Sequence, residues 1–272
     1  MARGQDRVVT GARRILLTGA SSGLGRELAR ALAKPGVTLC LSGRRETALA
    51  AVADELRAKG AEVETAIVDL TDIQAAEDWV DAAAHAPIDL ALLNAGMFDG
   101  RGKDGKLESP RRAAIQIETN LTAPTVLALR LADHMREAGQ GTILFVSSLG
   151  AFANQADAPS YCASKAGVTA FARALREDLA PDGVRVVIAH PGHIETPQTE
   201  VHRGPLPGIM PAEQAAKTIL AGLARGTAEI DFPGHLRLGL KLQSLLPWKM
   251  QAKINQGLRF HVDHGDDPDK GK

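Results

Sequence analysis

The chain has 272 residues, and its 32 Lys and Arg residues balance 32 Asp and Glu residues, so the formal net charge at pH 7 is zero. A neutral protein has no global field that would draw it onto nucleic acid, and no nucleic-acid partner is expected. Hydrophobic residues make up 44% and charged residues 24%, which excludes disordered, collagen-like and coiled-coil chains and leaves a globular protein with a sizeable core.

Short apolar segments alternate with longer amphipathic ones along most of the chain. This alternation predicts an α/β fold, a doubly wound parallel sheet of about seven strands with helices on both faces. The predicted strands cover residues 14–18, 37–42, 62–67, 88–93, 142–147, 184–189 and 228–232. The predicted helices cover residues 24–34, 46–59, 73–84, 109–138, 158–180 and 212–225.

The pattern also divides the chain into parts. Stretches rich in Gly, Pro or charge at 97–112 and 193–210 predict loops within the α/β domain. The four parts are a flexible N-terminal arm (1–12), the α/β catalytic domain (13–233), a basic apolar C-terminal appendage (234–260) and a disordered tail (261–272).

Two cysteines, Cys40 and Cys162, are too few for a disulfide framework, and no group of residues has zinc-site spacing, so no metal is predicted. Cys162 is expected to be a small packed residue rather than a redox-sensitive thiol. The apolar run at 15–17 is too short for a secretion signal or a membrane span. A cytoplasmic location is therefore expected.

The first predicted strand leads directly into a glycine-rich turn that is followed by a helix. Glycines there let the backbone approach a pyrophosphate, and the free N–H groups and dipole of the helix start attract its negative charge. The order of strand, loop and helix favours a dinucleotide site over a tight turn without a ligand. The residues concerned are Thr18, Gly19, Ser21, Ser22, Gly23, Leu24 and Gly25.

Further motifs follow this loop in order. They are Asn94-Ala95-Gly96, Asn120, Ser147-Ser148, Tyr161-Cys162-Ala163-Ser164-Lys165 and Pro191-Gly192. Together with Thr-Gly-x-x-x-Gly-x-Gly at 18–25, this set resembles the short-chain dehydrogenase/reductase family in its single-domain form, over residues 13–233. The resemblance implies a Rossmann-like fold and an NAD(P)-dependent oxidoreductase that interconverts alcohols and ketones.

The end of the second strand distinguishes between the two nicotinamide cofactors. An NAD site needs an acidic residue about 20 residues past the glycine loop, to bind the ribose 2′-hydroxyl. This chain has Ser42-Gly43-Arg44-Arg45 there, and a guanidinium can grip a 2′-phosphate with paired hydrogen bonds. NADP(H) is therefore preferred over NAD(H), although Glu46 lies nearby and the two arginines could simply be solvated at a helix start.

The resemblance also assigns other residues to the cofactor. It implies that Asp69 and Leu70 lie near the adenine and that the Asn94 loop lies near the adenosine ribose. The implied set is Asp69, Leu70, Asn94, Ala95 and Gly96, followed by Pro191, Gly192, Ile194 and Thr196 along the nicotinamide segment.

Tyr161 and Lys165 are four residues apart in a predicted helix, so they share one face, about 6 Å apart along the axis. A neighbouring ammonium and a positive nicotinamide ring favour the phenolate of a tyrosine, whose ordinary pKa is about 10. The resemblance implies that Tyr161 is the general acid and that Lys165 also holds the nicotinamide ribose. It adds Ser148 as the hydrogen-bond partner of the substrate oxygen, with Ser147 as the rival, and Asn120 as the holder of a proton-relaying water.

These observations predict NADPH-dependent reduction of a ketone to a secondary alcohol, with 3-ketoacyl and lipid-linked ketones among the candidate substrates. Oxidation of an alcohol by the same groups stays open, as does an NADP-binding sensor or scaffold without turnover. His190 stands where the family often has Asn or Ser, and it is expected to be a loop residue.

The segment 235–260 combines many leucines with five basic residues and no acidic one. Either it covers the substrate cleft as a lid or part of the core, or it forms a basic amphipathic lip that contacts an anionic membrane or an acyl-carrier partner. The leucines at 236–242 recur with a period closer to two than to 3.6. Small residues along the helix 158–180 permit close helix contact, and the family resemblance implies a homodimer or homotetramer.

Overall fold

A computed structural model describes residues 11–263, and most of the predicted N-terminal arm and C-terminal tail lie outside the described residues. Seven strands form one parallel sheet in the order β10-β6-β5-β4-β1-β2-β3. They are β1 (Arg14–Thr18), β2 (Thr38–Gly43), β3 (Glu62–Ile67), β4 (Leu90–Leu93), β5 (Gly141–Val146), β6 (Val184–Pro191) and β10 (Glu229–Phe232). The strand order reverses between β1 and β4, which is where ligands bind in open α/β sheets.

Helices pack on both faces of this sheet, which confirms the doubly wound, Rossmann-like fold. They are α1 (Gly23–Leu32), α2 (Glu46–Ala58), α3 (Ile73–Ala83), α4 (Pro110–Ile117), α5 (Ala123–Ala138), α6 (Pro159–Leu179), α7 (Ala212–Ala224), α8 (Gly234–Gln243) and α9 (Trp248–Gln256). In β1, Ile15 and Leu17 join the core beneath α1, α2 and α7, whereas Leu16 joins the core beneath α3, α5 and α6. The alternation of strand side chains thus supplies both cores.

The single helix predicted over 109–138 is wrong in one respect. A π-helical turn, Glu118–Thr122, separates α4 from α5. Pro124 lies in the first turn of α5, and its missing N–H removes the hydrogen bond that an unbroken helix would make to the carbonyl of Asn120. Asn120 therefore lies within the π-helical turn, a local irregularity that recurs at functional sites.

The predicted loop at 193–210 contains short strands, and the predicted tail starts too early. The short strands are β7 (Ile194–Glu195), β8 (His202–Arg203), β9 (Met210–Pro211) and β11 (His261–Val262). β11 pairs antiparallel with β8, and Val262 is buried with Phe260 and Ala158. Residues 261–262 are ordered because the β8 backbone and this small apolar cluster hold them.

The C-terminal appendage is a helical hairpin, α8 and α9, interrupted before Pro247. The period-two leucines lie on a helix, where residues two apart point in nearly opposite directions. Leu236 and Leu240 therefore line a large cleft, whereas Leu238 is 58% exposed. No described helix is both long enough and apolar enough to span a membrane.

Candidate active site

One cavity of about 1090 Å³ opens at the carboxyl ends of β1, β2, β4, β5 and β6. Small-ligand pockets usually measure about 300–1,000 Å³, so this cavity is large enough for a dinucleotide together with a substrate. Every site residue predicted from the sequence lines it except Thr18 and Asn120. The cavity has a cofactor end, beside the glycine loop, and a substrate end, beneath α8 and α9.

The glycine loop has the form that a pyrophosphate requires. Gly19 has φ +70° and Gly23 has φ +54°, conformations that favour glycine. A Cβ on Gly25 would collide with the carbonyl oxygen of Gly19, and a Cβ on Gly19 would lie 2.9 Å from the Cα of Ala95. The Ser22 side chain makes no capping bond at the start of α1, so that helix end keeps N–H groups for an anion.

Thr18 does not line the cavity but supports the glycine loop through buried hydrogen bonds. Its hydroxyl is 1% exposed and accepts hydrogen bonds from the backbone N–H groups of Asn94 and Ala95, both at 2.9 Å. The Asn94 side chain donates to the carbonyl oxygens of Thr18 at 3.0 Å and Gly19 at 3.3 Å. Thr18 and Asn94 therefore join the ends of β1 and β4 and fix the loop between them.

The end of β2 presents two cations to the cavity. Ser42 is buried, and a Cβ on Gly43 would lie 3.3 Å from Ser21, so little space separates this strand end from the glycine loop. Arg44 and Arg45 are exposed, line the cavity and form no ion pair within residues 11–263. Their guanidinium groups can therefore accept an anionic ligand.

Two other predicted cofactor segments lie against the same cavity. Asp69 accepts hydrogen bonds from the backbone N–H of Thr71 at 3.0 Å and from its hydroxyl at 2.9 Å, which fixes the loop after β3. A Cβ on Gly23 would lie 3.0 Å from the Thr196 methyl carbon, so the nicotinamide segment closes over the glycine loop. The other cavity-lining residues of these segments are Leu70, Gly96, Pro191, Gly192 and Ile194.

Tyr161, Lys165 and Ser148 meet in the middle of the cavity. Tyr161 and Lys165 lie on α6, and the Lys165 ammonium is 6.0 Å from the centroid of the Tyr161 ring. The Lys165 ammonium donates to the Val146 carbonyl at 3.0 Å, which holds it at the end of β5. The Ser148 hydroxyl accepts the N–H of Gly150 at 3.0 Å and is hydrogen-bonded to the Tyr161 phenol.

Burial dominates the proton affinities of this group. It raises the pKa of Tyr161 to about 12, against the opposing hydrogen bond with Ser148. Burial also lowers the pKa of Lys165 to about 8. The ammonium still favours the phenolate, but desolvation outweighs that attraction, so the pKa of the phenol lies above its ordinary value rather than below it. The phenol stays protonated at neutral pH and can donate a proton to an oxygen.

Asn120 lies beside this group but not in the cavity wall. It is 1% exposed, and its amide exchanges two hydrogen bonds of 2.8 Å with the Met97 backbone and donates to Ser164 at 3.2 Å. A Cβ on Gly96 would lie 3.1 Å from its oxygen and 3.4 Å from the Lys165 nitrogen. Glycine at 96 therefore leaves the space between Asn120 and Lys165 open.

A buried polar chain supports α6 from behind. The Ser147 hydroxyl donates to the Lys165 carbonyl at 3.0 Å and is 2.8 Å from the Thr169 hydroxyl, which lies 3.2 Å from His190. His190 is not a loop residue: it lies in β6, fully buried, with Nδ1 2.7 Å from Asp231. Its strand position and these partners explain its burial. Cys162 is also buried, and burial raises its pKa.

Sequence reasoning missed most of the substrate end. Phe98, His202 and Phe260 lie in three separate segments and meet there with His193. Aromatic residues make up only 3% of the chain, so aromatic residues inside predicted loops were a usable signal. The leucines of the hairpin complete this end. Which of them face the cavity could not be predicted without knowing that the segment is helical.

Comparisons with known proteins place these observations in a family. The short chain dehydrogenase family model matches residues 13–204. An uncharacterized oxidoreductase of Myxococcus xanthus is 36% identical over 237 residues, covering 86% of this chain and 93% of that protein. A putative ketoacyl reductase of Streptomyces coelicolor is 35% identical over 186 residues, covering 67% of this chain and 70% of that protein.

A solved structure matches most of the chain. A short-chain dehydrogenase from Sphingobium yanoikuyae in complex with NADPH superimposes with a TM-score of 0.74 at 27% identity. The match covers 95% of this chain and 99% of that one. Nearly the whole described fold therefore has a counterpart in that enzyme.

Proposed function

Because the chain belongs to the short-chain dehydrogenase family and is an NAD(P)-dependent oxidoreductase, we propose that it uses NADPH to reduce a ketone to a secondary alcohol. The observation that carries this proposal is the position of the Tyr161 phenol, partly buried in the cavity wall beside Ser148, where desolvation raises its pKa to about 12. A group that stays protonated at neutral pH is suited to donate a proton to a carbonyl oxygen.

When bound, the nicotinamide of NADPH would supply a hydride to the carbonyl carbon. Tyr161 gives its phenolic proton to the carbonyl oxygen, so that the hydride and this proton together complete the alcohol. Ser148 hydrogen-bonds the same oxygen and keeps it near the phenol. Lys165 lies beside Tyr161 with its ammonium on the Val146 carbonyl, and its positive charge stabilises the phenolate left after proton transfer.

The preference for NADPH rests on the end of β2. Arg44 and Arg45 line the cavity without ion-pair partners in the described chain, and no carboxylate occupies Ser42 or Gly43, where an NAD site would carry one. Two guanidinium groups suit a doubly charged 2′-phosphate. The NADPH in the Sphingobium enzyme is consistent with this preference.

The substrate class follows from the lining of the other end. The hairpin contributes Leu236, Leu240, Leu246, Ile254 and Leu258 to the cavity, which favours a ketone with an apolar chain such as a 3-ketoacyl or lipid-linked ketone. The name of the Streptomyces relative, a putative ketoacyl reductase, agrees with this class. The hairpin thus acts as a lid over the substrate.

The outer face of the hairpin is both apolar and basic. Its exposed residues include Leu238, Leu245, Trp248 and Met250, alongside Lys241, Lys249 and Lys253. This composition supports contact with an anionic membrane surface as part of the proposed function.

Small residues along α6 support a homodimer or homotetramer. Light scattering that shows a monomer at micromolar concentration would contradict this oligomeric state.

The test of the function is NADPH oxidation with a panel running from short β-keto esters to long-chain 3-ketoacyl thioesters. The wild type should reduce members of the panel, whereas Tyr161→Phe should retain NADPH binding and lose turnover. Cys162→Ala, the neighbouring substitution in the same helix, is the matched control and should keep activity. A wild type that binds NADPH yet reduces no ketone would instead favour the sensor or scaffold alternative.

A further inference from the structure

A continuous wall of rings leads away from the catalytic phenol. Phe98 meets Tyr161 edge to face, with centroids 5.0 Å apart, and its centroid is 6.0 Å from that of His202. His202 stacks on Phe260 at 4.4 Å and meets His193 at 5.9 Å. All five rings line the cavity, and the ring contacts run from Tyr161 through Phe98 to His202, which in turn meets His193.

Neither imidazole has a hydrogen-bond or ion-pair partner among the described residues. The His193 side chain makes no hydrogen bond or ion pair with another residue of the described chain, although it is half-buried. His202 is 8% exposed, and its buried Nδ1 has no partner among residues 11–263. Such unpaired polar groups are uncommon and usually have a functional or solvent explanation.

Both imidazoles are neutral at physiological pH. Burial, followed by the neighbouring His202, lowers the pKa of His193 to about 4. Burial also lowers the pKa of His202, with His261 and Arg203 adding to the effect. A neutral imidazole has one N–H donor and one lone pair, so it suits a neutral polar group better than an anion.

The substrate end carries no other charge that would bind a carboxylate. Among the residues lining the cavity, the charged side chains apart from the three histidines are Arg44, Arg45 and Asp69 at the cofactor end and Lys165 beside Tyr161. A carboxylate on the substrate would therefore lose its water without gaining a partner in the part beyond Phe98. The cavity selects against keto acids and for uncharged ketones.

We propose that His193, positioned by the ring of His202, hydrogen-bonds a second, uncharged oxygen of the substrate, such as the ester or thioester carbonyl of a β-keto acyl group. This assignment rests on the proposed ketone reduction and specifies which ketones are preferred. His193 and Tyr161 both line the cavity, and the alkyl chain extends towards the leucines of α8 and α9. His193 is thus a specificity residue for the substrate rather than a proton donor.

The experiment compares two substrates of nearly the same shape, methyl 3-oxodecanoate and dodecan-5-one. In dodecan-5-one, three alkyl carbons replace the CH3–O–C(=O) unit of the keto ester, so the ester carbonyl is absent and the ketone keeps its place in the chain. In His193→Phe, kcat/KM for the keto ester should fall about tenfold, the value of one hydrogen bond, while kcat/KM for dodecan-5-one changes less than about twofold. His193→Asn, which keeps a donor and an acceptor, should restore most of the difference.

The control is His235→Phe, the same substitution at another histidine that lines the cavity from α8. It should leave the ratio of the two kcat/KM values unchanged. Because the ratio is compared between variants, the greater intrinsic reactivity of the keto ester cancels. The free acid 3-oxodecanoate should be a poor substrate of the wild type.

An unchanged ratio in His193→Phe, an equal loss for both substrates, or efficient reduction of the free acid would overturn the proposal. A wild type that reduces neither ketone would refute the reductase function itself. Calorimetric binding of methyl 3-hydroxydecanoate and dodecan-5-ol to the NADP-loaded protein then still decides the role of His193. Loss of the binding preference in His193→Phe supports the contact, and a retained preference contradicts it.

Discussion

The two ends of the cavity are built in different ways. At the cofactor end, loops emerge from buried strands, and side chains such as Thr18 and Asn94 tie them together through hydrogen bonds of about 3 Å. At the substrate end, the wall is a helical hairpin in which no residue of α8 or α9 is buried. The cofactor end is thus part of the hydrophobic core, whereas the hairpin at the substrate end packs on the surface of that core.

Few contacts attach the hairpin to the domain. Arg237 donates to Asp231 at 3.1 Å and stacks 3.6 Å above the Phe152 ring, just after the Ser148 turn. Gln251 and Asn255 pair with the side chain and backbone of Asn154. The residues proposed for the chemistry are thus held by the sheet, whereas the proposed substrate contacts lie on a segment that we expect to tolerate change with little effect on folding.

The largest effect is expected from Lys165→Met, at the fixed end. Removing the buried ammonium takes away the charge beside the phenol and leaves the Val146 carbonyl without its partner, so kcat/KM should fall roughly 10³-fold. Steady-state reduction of a ketone by NADPH measures it. Lys217→Met, on the exposed face of α7, should keep wild-type activity, and a loss below tenfold at Lys165 would place the phenol's partner elsewhere.

The same substitution, Leu to Ala, should change the free energy of unfolding by different amounts at the two ends of the cavity. Leu92, in β4, is fully buried, and Leu92→Ala should lower the free energy of unfolding by about 2–5 kcal/mol. Leu240→Ala, in α8, should cost less than about 1 kcal/mol, because that side chain faces the cavity. Denaturant unfolding followed by circular dichroism measures both, and equal losses would make the hairpin part of the core.

Leu240→Ala should also act on the substrate. We expect it to raise KM for long-chain ketones more than for short ones, because the longer chain reaches α8. Steady-state kinetics over the chain-length series tests this. A uniform change at all lengths would contradict the position given to the alkyl chain.

The direction of the reaction should depend on pH through Tyr161. Its pKa near 12 leaves it protonated at neutral pH, the form that reduction needs, whereas alcohol oxidation needs the phenolate. Oxidation should therefore rise by up to tenfold per pH unit between about pH 6 and pH 8, while reduction gains nothing. Above that range Lys165, with a pKa near 8, loses its charge and its support of the phenolate. Parallel profiles for the two directions would exclude Tyr161 as the titrating group.

A more selective effect is expected at the 2′-phosphate contact. Arg44→Ala should raise the Kd for NADPH about tenfold and leave that for NADH nearly unchanged, since it removes a charge-assisted hydrogen bond. Fluorescence titration of both cofactors measures the difference. Arg57→Ala, an exposed arginine paired with Asp54 in α2, is the control. Equal weakening of NADPH and NADH would refute the preference.

The sequence predicted the cofactor end well because each motif there follows a strand. Short apolar segments locate the strands, and parallel strands bring their carboxyl ends to one edge, so the Gly19 loop, Asn94 and Ser148 had to converge. The family resemblance favoured Ser148 over Ser147 as the partner of the substrate oxygen; both serines line the cavity, and the Ser147 hydroxyl donates to the Lys165 carbonyl. The sequence did not predict that Thr18 and Asn120 are screened from the cavity, since that depends on side-chain packing.

The substrate end was harder to predict for physical reasons. The leucines at 236–242 recur with a period closer to two than to 3.6, which does not indicate a helix, yet the segment forms α8 and packs against Phe152 and the cleft. The pairing of β8 with β11 joins residues about sixty positions apart, with no local signal in either. The pKa of Tyr161 was predicted wrongly because the motif gives the spacing between Tyr161 and Lys165 but not the burial of the phenol.

The central claim is hydride transfer to a ketone with Tyr161 as the acid, and isotope transfer tests it most directly. Wild-type protein is incubated with methyl 3-oxodecanoate and NADPH in which both C4 hydrogens are deuterium, and the alcohol is analysed by mass spectrometry. The account predicts one deuterium on the carbinol carbon for each NADPH consumed, with no product from Tyr161→Phe. Alcohol without deuterium, or full activity in Tyr161→Phe, would contradict it.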